Sequence, residues 1–231
     1  MAELWLVRHG QASFGKANYD ELSPLGVQQC RWLGQHLHDL ALNVDRVVTG
    51  TLQRQAQSAE ALFEGLADTP PVTRHAGFDE YDFLTLQRVY IEQNPAVRNK
   101  KKPAKQSDAE KMRDFYRTLK LALDAWVRDE LVLPDGQRWP QFAAGVADAL
   151  RSITQDKAVT RTLVMTSGGV IATAVGQVLA LDSSRVFDLN LQIRNSSVTQ
   201  FFFNENNLRF ASFNNVAHLE RDDRFHAITY S

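Results

Sequence analysis

The most informative part of this chain is the stretch Leu4-Trp5-Leu6-Val7-Arg8-His9-Gly10. Its four apolar residues predict a short buried strand, and the glycine predicts that the strand ends in a loop. Ligands of open α/β sheets bind at the carboxyl ends of the strands, which is where Arg8 and His9 fall. An imidazole can attack phosphorus, and a guanidinium can hold phosphoryl oxygens bidentately. The stretch therefore predicts a phosphate site at the end of the first strand.

The rest of the chain alternates short apolar runs with longer amphipathic runs, which predicts an α/β fold with a mostly parallel sheet. The predicted strands are residues 4–7, 46–49, 72–74 and 162–166. Residues 198–203 and 208–213 are predicted to form a hairpin across Asn204-Glu205-Asn206-Asn207, which gives the sheet an antiparallel edge. The intervening helices are predicted to begin at Ser23-Pro24, at Thr51 and after Gly168-Gly169.

The alternation stops between about residues 85 and 137, where a charged, helix-prone stretch intervenes. It contains Asn99-Lys100-Lys101-Lys102-Pro103-Ala104-Lys105 and a long predicted helix around residues 112–131. We therefore expect a single domain over residues 1–231 with a helical cap inserted at about 85–137. The lysine run is typical of a solvated loop, although a cap could present one or two of these cations to an anionic substrate.

Composition excludes several classes of partner and cofactor. The 231 residues are 44% hydrophobic, enough to bury a substantial core. The 26 basic and 27 acidic side chains leave a formal net charge of -1, so no global field favours nucleic acid or an anionic membrane. Cys30 is the only cysteine, which excludes an intrachain disulfide and a cysteine-based zinc site. Any anion site must therefore be local.

The start of the sequence lacks the charged start and long apolar core of a signal peptide. Nor does any apolar run approach the length that spans a membrane. These patterns predict a cytoplasmic protein without a membrane partner.

A second arginine follows the second predicted strand, in the loop Thr49-Gly50-Thr51-Leu52-Gln53-Arg54 that leads into a helix. The N-terminus of a helix offers unpaired N–H groups and positive potential to an anion. Arg54 by itself would be read as a solvated surface residue. Together with Arg8 and His9 at the end of a neighbouring strand, it is predicted to be a second phosphate clamp.

Carboxylates follow the third predicted strand, in Phe78-Asp79-Glu80-Tyr81-Asp82. One of them, at the same edge of the sheet, could protonate a departing alkoxide as a general acid. Glu80 is the preferred candidate. Asp79 and Asp82 stay open as alternatives because spacing alone does not rank the three.

Five segments carry a resemblance to a known family. They are Leu6-Val7-Arg8-His9-Gly10-Gln11, Leu22-Ser23-Pro24-Leu25-Gly26, the helix start around Arg54, Phe78-Asp79-Glu80-Tyr81, and Val164-Met165-Thr166-Ser167-Gly168-Gly169-Val170-Ile171. In this order and spacing the chain resembles the histidine phosphatase superfamily, which includes the cofactor-dependent phosphoglycerate mutases and many small bacterial phosphatases. The resemblance implies a three-layer α/β sandwich of the phosphoglycerate mutase type.

The resemblance also implies roles for individual residues. His9 would be transiently phosphorylated, Arg8 and Arg54 would bind the phosphoryl group, and Glu80 would act as general acid and then base. Weaker expectations are that Gln11 and Ser13 line the mouth for a small phosphomonoester and that the backbone at Gly168 contributes N–H groups. The implied reaction needs neither a metal nor an organic cofactor.

One position departs from the family pattern, in which the last segment carries a second histidine that also contacts the phosphoryl group. Ser167 stands there and offers a neutral hydroxyl with a single proton to donate. A hydrogen bond to a charged group contributes about 1.5 to 3 kcal/mol, and losing a donor aimed at the transition state costs roughly a hundredfold to a thousandfold. We therefore expect impaired, not abolished, catalysis. His75 and His218 are candidates to supply a replacement imidazole.

Four functions remain open at this point. A metal-independent phosphomonoesterase is favoured, followed by a phosphate-binding or regulatory module that has lost useful catalysis, and by a phosphotransferase of the mutase type. A serine hydrolase built on Ser167 is disfavoured because Met165-Thr166-Ser167-Gly168-Gly169 lacks the first glycine of the G-x-S-x-G elbow. The sequence fixes neither the substrate nor the oligomeric state, and it permits a dimer.

Overall fold

The computed structural model describes residues 2–13, 19–98, 106–156, 159–204 and 207–230. The strands in these ranges are β1 (Ala2–Arg8), β2 (Arg46–Thr49), β3 (Val72–Arg74), β4 (Arg161–Thr166), β5 (Val198–Phe203) and β6 (Leu208–Asn215). The helices are α1 (Pro24–Asp39), α2 (Gln53–Leu66), α3 (Phe83–Gln93), α4 (Pro95–Arg98), α5 (Asp108–Val127), α6 (Trp139–Thr154), α7 (Gly168–Leu179) and α8 (Ser183–Asn190).

The strands form one six-stranded sheet in the order β3-β2-β4-β1-β5-β6. The pairs β3 with β2, β2 with β4 and β4 with β1 are parallel, whereas β5 pairs antiparallel with β1 and with β6. This arrangement confirms the predicted α/β class with an antiparallel edge. The predicted hairpin forms, although residues 205 and 206 of its turn lie outside the described ranges.

The register of the parallel strands brings the candidate site residues to one edge. Arg8 of β1 lies opposite Thr166 of β4, and Thr49 of β2 lies opposite Met165. The chain leaves all three strands at the same level of the sheet. The residues that follow them therefore meet at one edge, as ligand-binding loops of open α/β sheets do.

Helix α1 begins as the sequence predicts. Ser23 is its N-cap residue, and the side-chain oxygen of Ser23 accepts a hydrogen bond from the N–H of Gly26 at 3.0 Å. Pro24 occupies the first turn, where a missing N–H costs no intrahelical bond. The cap and the proline together fix where the chain turns from the loop after β1 into the helix.

Helices α1 and α2 pack against the same apolar cluster as the central strands. Leu33, Leu37 and Leu62 are buried there against Val7 and Val47. Removal of this apolar surface from water is the main force that holds the helices on the sheet. It also holds the start of α2 beside the ends of β1 and β2.

The loop after β1 lies directly on the backbone of α1. A Cβ atom on Gly10 would lie 2.2 Å from the carbonyl oxygen of Gly26, and one on Gly26 would lie 2.1 Å from that of Gln11. Only glycine at both positions permits this approach, because carbon and oxygen atoms do not come so close without a bond. The contact fixes the backbone that follows His9.

The chain divides into two compact units, Met1–Glu80 with Val146–Ser231, and Tyr81–Gly145. The second unit contains α3, α4 and α5, and its core includes Tyr81, with ring centroids of Trp126 and Phe142 at 5.2 and 5.4 Å. The insertion predicted at about residues 85–137 falls within this unit. The lysine run, residues 99–105, lies outside the described ranges.

Helix α5 begins earlier and ends earlier than its apolar pattern predicts. Ser107 and Glu110 form a capping box at its start, in which the Ser107 N–H donates to Oε2 of Glu110 at 2.8 Å. The two reciprocal bonds satisfy N–H groups that the helix start leaves unpaired, so the helix begins upstream of residue 112. Leu131 is buried beyond the helix end.

Among the described residues, no helix combines the length and the apolar character that crossing a bilayer requires.

Candidate active site

His9 follows β1 and is almost completely buried, with 3% of its surface exposed. Its Nδ1 lies 2.7 Å from the carbonyl oxygen of Gly10. Because a carbonyl oxygen only accepts hydrogen bonds, Nδ1 carries the proton, and Nε2 keeps its lone pair. Nε of Arg54 donates to Nε2 across 3.2 Å. The imidazole therefore presents its unprotonated nitrogen to a guanidinium.

The surroundings of His9 keep it neutral. Burial first, and then the positive charges of Arg54 and Arg8, hold the pKa of His9 well below its usual range. The neutral form is the nucleophilic form of an imidazole.

Arg54 lies in the first turn of α2 and is held by two residues from the loop that precedes α1. Its Nη1 donates to Oδ1 of Asp20 at 2.6 Å, and its Cζ lies 5.3 Å from the ring centroid of Tyr19. Oδ2 of Asp20 also accepts from the N–H of Gln53 at 2.8 Å. Sequence reasoning missed Asp20 and Tyr19 because their loop carries no periodic pattern.

Arg8, the other predicted phosphate ligand, reaches toward the C-terminal segments. Its Nη1 donates to the carbonyl oxygen of Ile193 and to that of Tyr230, the latter at 2.8 Å. Its charge still contributes to the lowered pKa of His9. Arg8 is thus electrostatically coupled to the imidazole while two backbone oxygens orient its guanidinium.

Ser167 follows β4 and stands completely buried at the N-cap of α7. Nε2 of Gln55 lies 2.9 Å from Oγ of Ser167 and also donates to the carbonyl oxygen of Phe78 at 2.9 Å. Gln55 comes directly after Arg54 in α2 and is itself fully buried. Sequence reasoning missed Gln55. The available signal was a polar side chain at a position that the helix turns toward the core.

The three candidate carboxylates have different surroundings. Oε2 of Glu80 accepts from the N–H of Gly169 at 2.9 Å, in the first turn of α7. Asp79 accepts from Oγ1 and the N–H of Thr51, and Asp82 caps α3. Asp79 therefore holds the loop that leads into α2 and Asp82 caps α3, whereas Glu80 lies at the helix start that follows Ser167.

The more weakly predicted site residues make local contacts. Oε1 of Gln11 accepts from Oγ of Ser23 at 2.8 Å. Ser13 is buried, and its N–H donates to the carbonyl oxygen of Glu21 at 2.7 Å. Gly168 is the first residue of α7. These contacts fix the loop after β1 and the start of α7.

The two histidines considered as replacements for the family's second imidazole are engaged elsewhere. His218 is buried with Nε2 2.8 Å from Oγ of Ser196, and burial, followed by the neighbouring charges, lowers its pKa to about 3. Nδ1 of His75 accepts from the N–H of Gly77 at 3.0 Å. Within the described residues, Ser167 instead accepts a hydrogen bond from the amide of Gln55.

In the described parts of the chain, no three His, Cys, Asp or Glu side chains are grouped so that they could hold a metal ion. Among the described residues, Arg54 and Arg8 are the charged groups that lower the pKa of His9.

Comparison of the sequence with protein families gives a match to the histidine phosphatase superfamily (branch 1) over residues 4–131 and 107–216. This match confirms the resemblance inferred from the five segments. Comparison with curated proteins gives no significant match.

Solved structures share the fold at low sequence identity. A phosphoserine phosphatase from Entamoeba histolytica, in complex with 3-phosphoglyceric acid, is 21% identical with a TM-score of 0.65, and the match covers 95% of this chain and 100% of that one. Bacillus stearothermophilus YhfR is 17% identical with a TM-score of 0.68 over 95% and 100% of the two chains. A phosphoglycerate mutase from Bacillus anthracis is 17% identical with a TM-score of 0.65 over 94% of each chain. These likenesses confirm the predicted fold.

Proposed function

Because this chain belongs to the histidine phosphatase superfamily (branch 1), we propose that it hydrolyses phosphomonoesters through a phosphohistidine formed on His9. The observation that carries the proposal is the 3.2 Å contact between Nε of Arg54 and Nε2 of His9, with Nδ1 fixed on the carbonyl oxygen of Gly10. A nucleophilic nitrogen and an anion-binding cation thus share one buried space.

In the first step, the guanidinium of Arg54 turns from Nε2 of His9 to the phosphoryl oxygens, which Arg8 also binds, and the freed Nε2 attacks phosphorus in line with the leaving group. A P–N bond forms as the P–O bond to the leaving alkoxide breaks, and the carboxyl group of Glu80 gives the alkoxide a proton. The ring gains positive charge, which strengthens the bond from Nδ1–H to the carbonyl oxygen of Gly10.

In the second step, the carboxylate of Glu80 takes a proton from a water molecule whose oxygen attacks phosphorus. The P–N bond breaks and the electron pair returns to Nε2, so His9 is neutral again and inorganic phosphate is released. The route uses no metal or organic cofactor, because the guanidinium groups offset the phosphoryl charge.

The proposed substrates are small phosphorylated molecules. Support comes from the Entamoeba histolytica phosphoserine phosphatase, whose structure contains 3-phosphoglyceric acid, although that likeness extends to the fold alone. The formal net charge of -1 also argues that the anion is recognised by local arginines and not by a basic surface.

Hydrolysis of p-nitrophenyl phosphate by the parent protein and by His9→Ala tests the proposal. We expect turnover in the parent, none in His9→Ala, and a covalent phosphoenzyme in the parent that acid destroys and alkali preserves. His38→Ala is the matched control because His38 is exposed on α1. Turnover that survives in His9→Ala, or no turnover of any phosphomonoester by the parent, would contradict the proposal.

A phosphate-binding module is the second candidate, and Ser167 favours it. This neutral hydroxyl accepts a hydrogen bond from Gln55 at the start of α7, where the family pattern has a second imidazole. The module predicts that inorganic phosphate raises the melting temperature without turnover. A mutase-type phosphotransferase would instead pass the phosphoryl group from a phosphorylated donor to a second hydroxyl. It would therefore release little free phosphate, whereas a hydrolase releases one phosphate for each ester cleaved.

A further inference from the structure

We propose that Gln55 is a positioning residue that fixes the hydroxyl of Ser167 as a hydrogen-bond donor to the bound phosphoryl group. The inference rests on the proposed function and adds to it. It assigns Ser167 a role in binding and catalysis despite its lack of charge, and it makes that role depend on the buried amide of Gln55 in α2.

The orientation of the Gln55 amide follows from its partners. The carbonyl oxygen of Phe78 lies 2.9 Å from the amide nitrogen and only accepts hydrogen bonds, so the nitrogen, and not the oxygen, faces Phe78. The same nitrogen lies 2.9 Å from Oγ of Ser167. Both protons of the amide are therefore donated, one to Phe78 and one to Ser167.

This orientation decides what the Ser167 hydroxyl can do. Because Oγ accepts from Gln55, its own proton points toward another acceptor. Residues at an N-cap usually turn their side-chain oxygen onto the helix, but within the described residues Ser167 makes no such capping bond to α7. The proton is thus kept for an acceptor supplied by a ligand.

The position of Ser167 puts that proton beside the nucleophile. The N–H of His9 donates to the carbonyl oxygen of Thr166 at 2.8 Å, so Ser167 leaves β4 next to where His9 leaves β1. The N-terminus of α7 begins directly after Ser167 and adds positive potential for an anion. A phosphoryl oxygen beside the His9 ring would therefore lie at the same edge of the sheet as Ser167.

The surroundings hold Gln55 in one conformation at a cost. A Cβ atom on Gly50 would lie 1.9 Å from Oε1 of Gln55, so the absence of a side chain at Gly50 makes the room for the amide. Within the described residues, that Oε1 is buried without a hydrogen-bond partner, which disfavours folding. Buried polar atoms without a hydrogen-bond partner lower stability, and natural proteins retain such atoms mainly at functional sites.

A double-mutant cycle tests the inference. Gln55→Met keeps the length of the side chain but removes the amide, and Ser167→Ala removes the donor. We expect Ser167→Ala to lower kcat on p-nitrophenyl phosphate by about a hundredfold. Gln55→Met should lower kcat by roughly tenfold in the parent and by less than about twofold in the Ser167→Ala background, since the two residues act as a unit. KM should change less than kcat in all variants.

Inorganic phosphate provides a second readout that does not require turnover. Its affinity, measured by calorimetry, should fall in Ser167→Ala, fall in Gln55→Met, and fall no further in the double variant. Coupled losses of phosphate affinity without turnover would uphold the positioning role and contradict the proposed hydrolase. Equal losses from Gln55→Met in both backgrounds would overturn the positioning role whether or not the protein is a hydrolase.

Two further variants keep the test clear of folding effects. Gln35→Met is the matched control because Gln35 is exposed on α1, and it should leave kcat and phosphate affinity unchanged. If Gln55→Met does not fold, Gln55→Asn replaces it, because the shorter amide cannot reach both Phe78 and Ser167. A Gln55→Asn protein with the parent's kcat and phosphate affinity would overturn the proposal.

Discussion

Oδ1 of Asp20 lies 2.6 Å from Nη1 of Arg54, on the same guanidinium whose Nε faces the imidazole of His9. The other oxygen of Asp20 accepts from the N–H of Gln53, at the start of a helix whose own N-cap residue, Leu52, supplies no side-chain bond. One carboxylate therefore caps α2 and orients the cation of the site.

Replacement of Asp20 should affect stability and anion binding together. We expect Asp20→Ala to lower the free energy of unfolding by about 1 kcal/mol, as the loss of a helix cap does. It should also weaken binding of inorganic phosphate, because Arg54 loses the group that holds Nη1. Urea denaturation and calorimetry measure the two effects. Asp222→Ala is the control because Asp222 is exposed. If the two variants have the same free energy of unfolding and the same phosphate affinity, Asp20 neither caps α2 nor orients Arg54.

The lowered pKa of His9 predicts an unusual pH dependence. Since the pKa lies well below its usual range, the imidazole stays neutral as the pH falls through 6.5. We therefore expect no acid loss of kcat/KM that titrates near 6.5 and depends on His9. In Arg54→Gln, the missing positive charge should raise the pKa of His9, which NMR titration of the ring measures. A His9 titration near 6.5 in the parent would refute this account.

The tight contact between Gln55 and Ser167 predicts the outcome of restoring an imidazole. Ser167→His alone should destabilise the fold by about 1 to 3 kcal/mol and give little gain in turnover, because the larger ring has to displace the buried amide. Ser167→His with Gln55→Ala provides the volume and should raise kcat on p-nitrophenyl phosphate by tens-fold if His9 is active. A higher melting temperature in the single than in the double variant would contradict the steric argument.

His218 predicts part of the acid sensitivity of the fold. Its folded-state pKa of about 3 lies below the usual 6.5, so between these values the unfolded chain binds more protons than the folded one. The contribution of His218 to the free energy of unfolding is therefore fully present above pH 6.5. It is lost as the pH falls below 6.5, by about 1.4 kcal/mol per pH unit. Urea denaturation at several pH values should give a shallower acid slope for His218→Gln. Equal acid slopes in the parent and in His218→Gln would argue against the effect.

The different surroundings of Gly10 and Gly145 predict opposite effects on stability when each glycine is replaced by alanine. Gly10→Ala places a Cβ 2.2 Å from a backbone oxygen, so it should cost about 3 kcal/mol or more and abolish phosphate binding. At Gly145, inside α6, a Cβ meets nothing within 4 Å. Gly145→Ala should therefore raise the free energy of unfolding by about 0.5–1 kcal/mol. Thermal denaturation compares them, and a tolerated Gly10→Ala would show that the loop can move.

Local patterns in the sequence were sufficient for most secondary structure and for the candidate catalytic residues. Ser23-Pro24 marks the start of α1, and the run before Arg8 marks β1, because caps and apolar periodicity act between residues close in the chain. The predicted helix extends past the end of α5, because the apolar Leu131 is buried beyond the helix and continues its pattern.

The contacts that complete the candidate site join residues far apart in the chain. Asp20 and Arg54 are separated by 34 positions, and Gln55 and Ser167 by 112. No periodic signal predicts such pairs, because they depend on the order of the strands and on the packing of α2 beside β4. That packing also determines that Ser167 contacts an amide and not His218.

Local sequence patterns are enough to predict that His9 follows a buried strand, that Arg54 enters a helix, and that the chain adopts the fold of its family. These features depend on hydrophobic periodicity and capping, which are properties of neighbouring residues. Only the folded chain shows which nitrogen of His9 is protonated, which carboxylate holds Arg54, and which side chain donates to Ser167. Those outcomes depend on hydrogen bonds between separate elements, whose geometry exists only once the sheet has assembled.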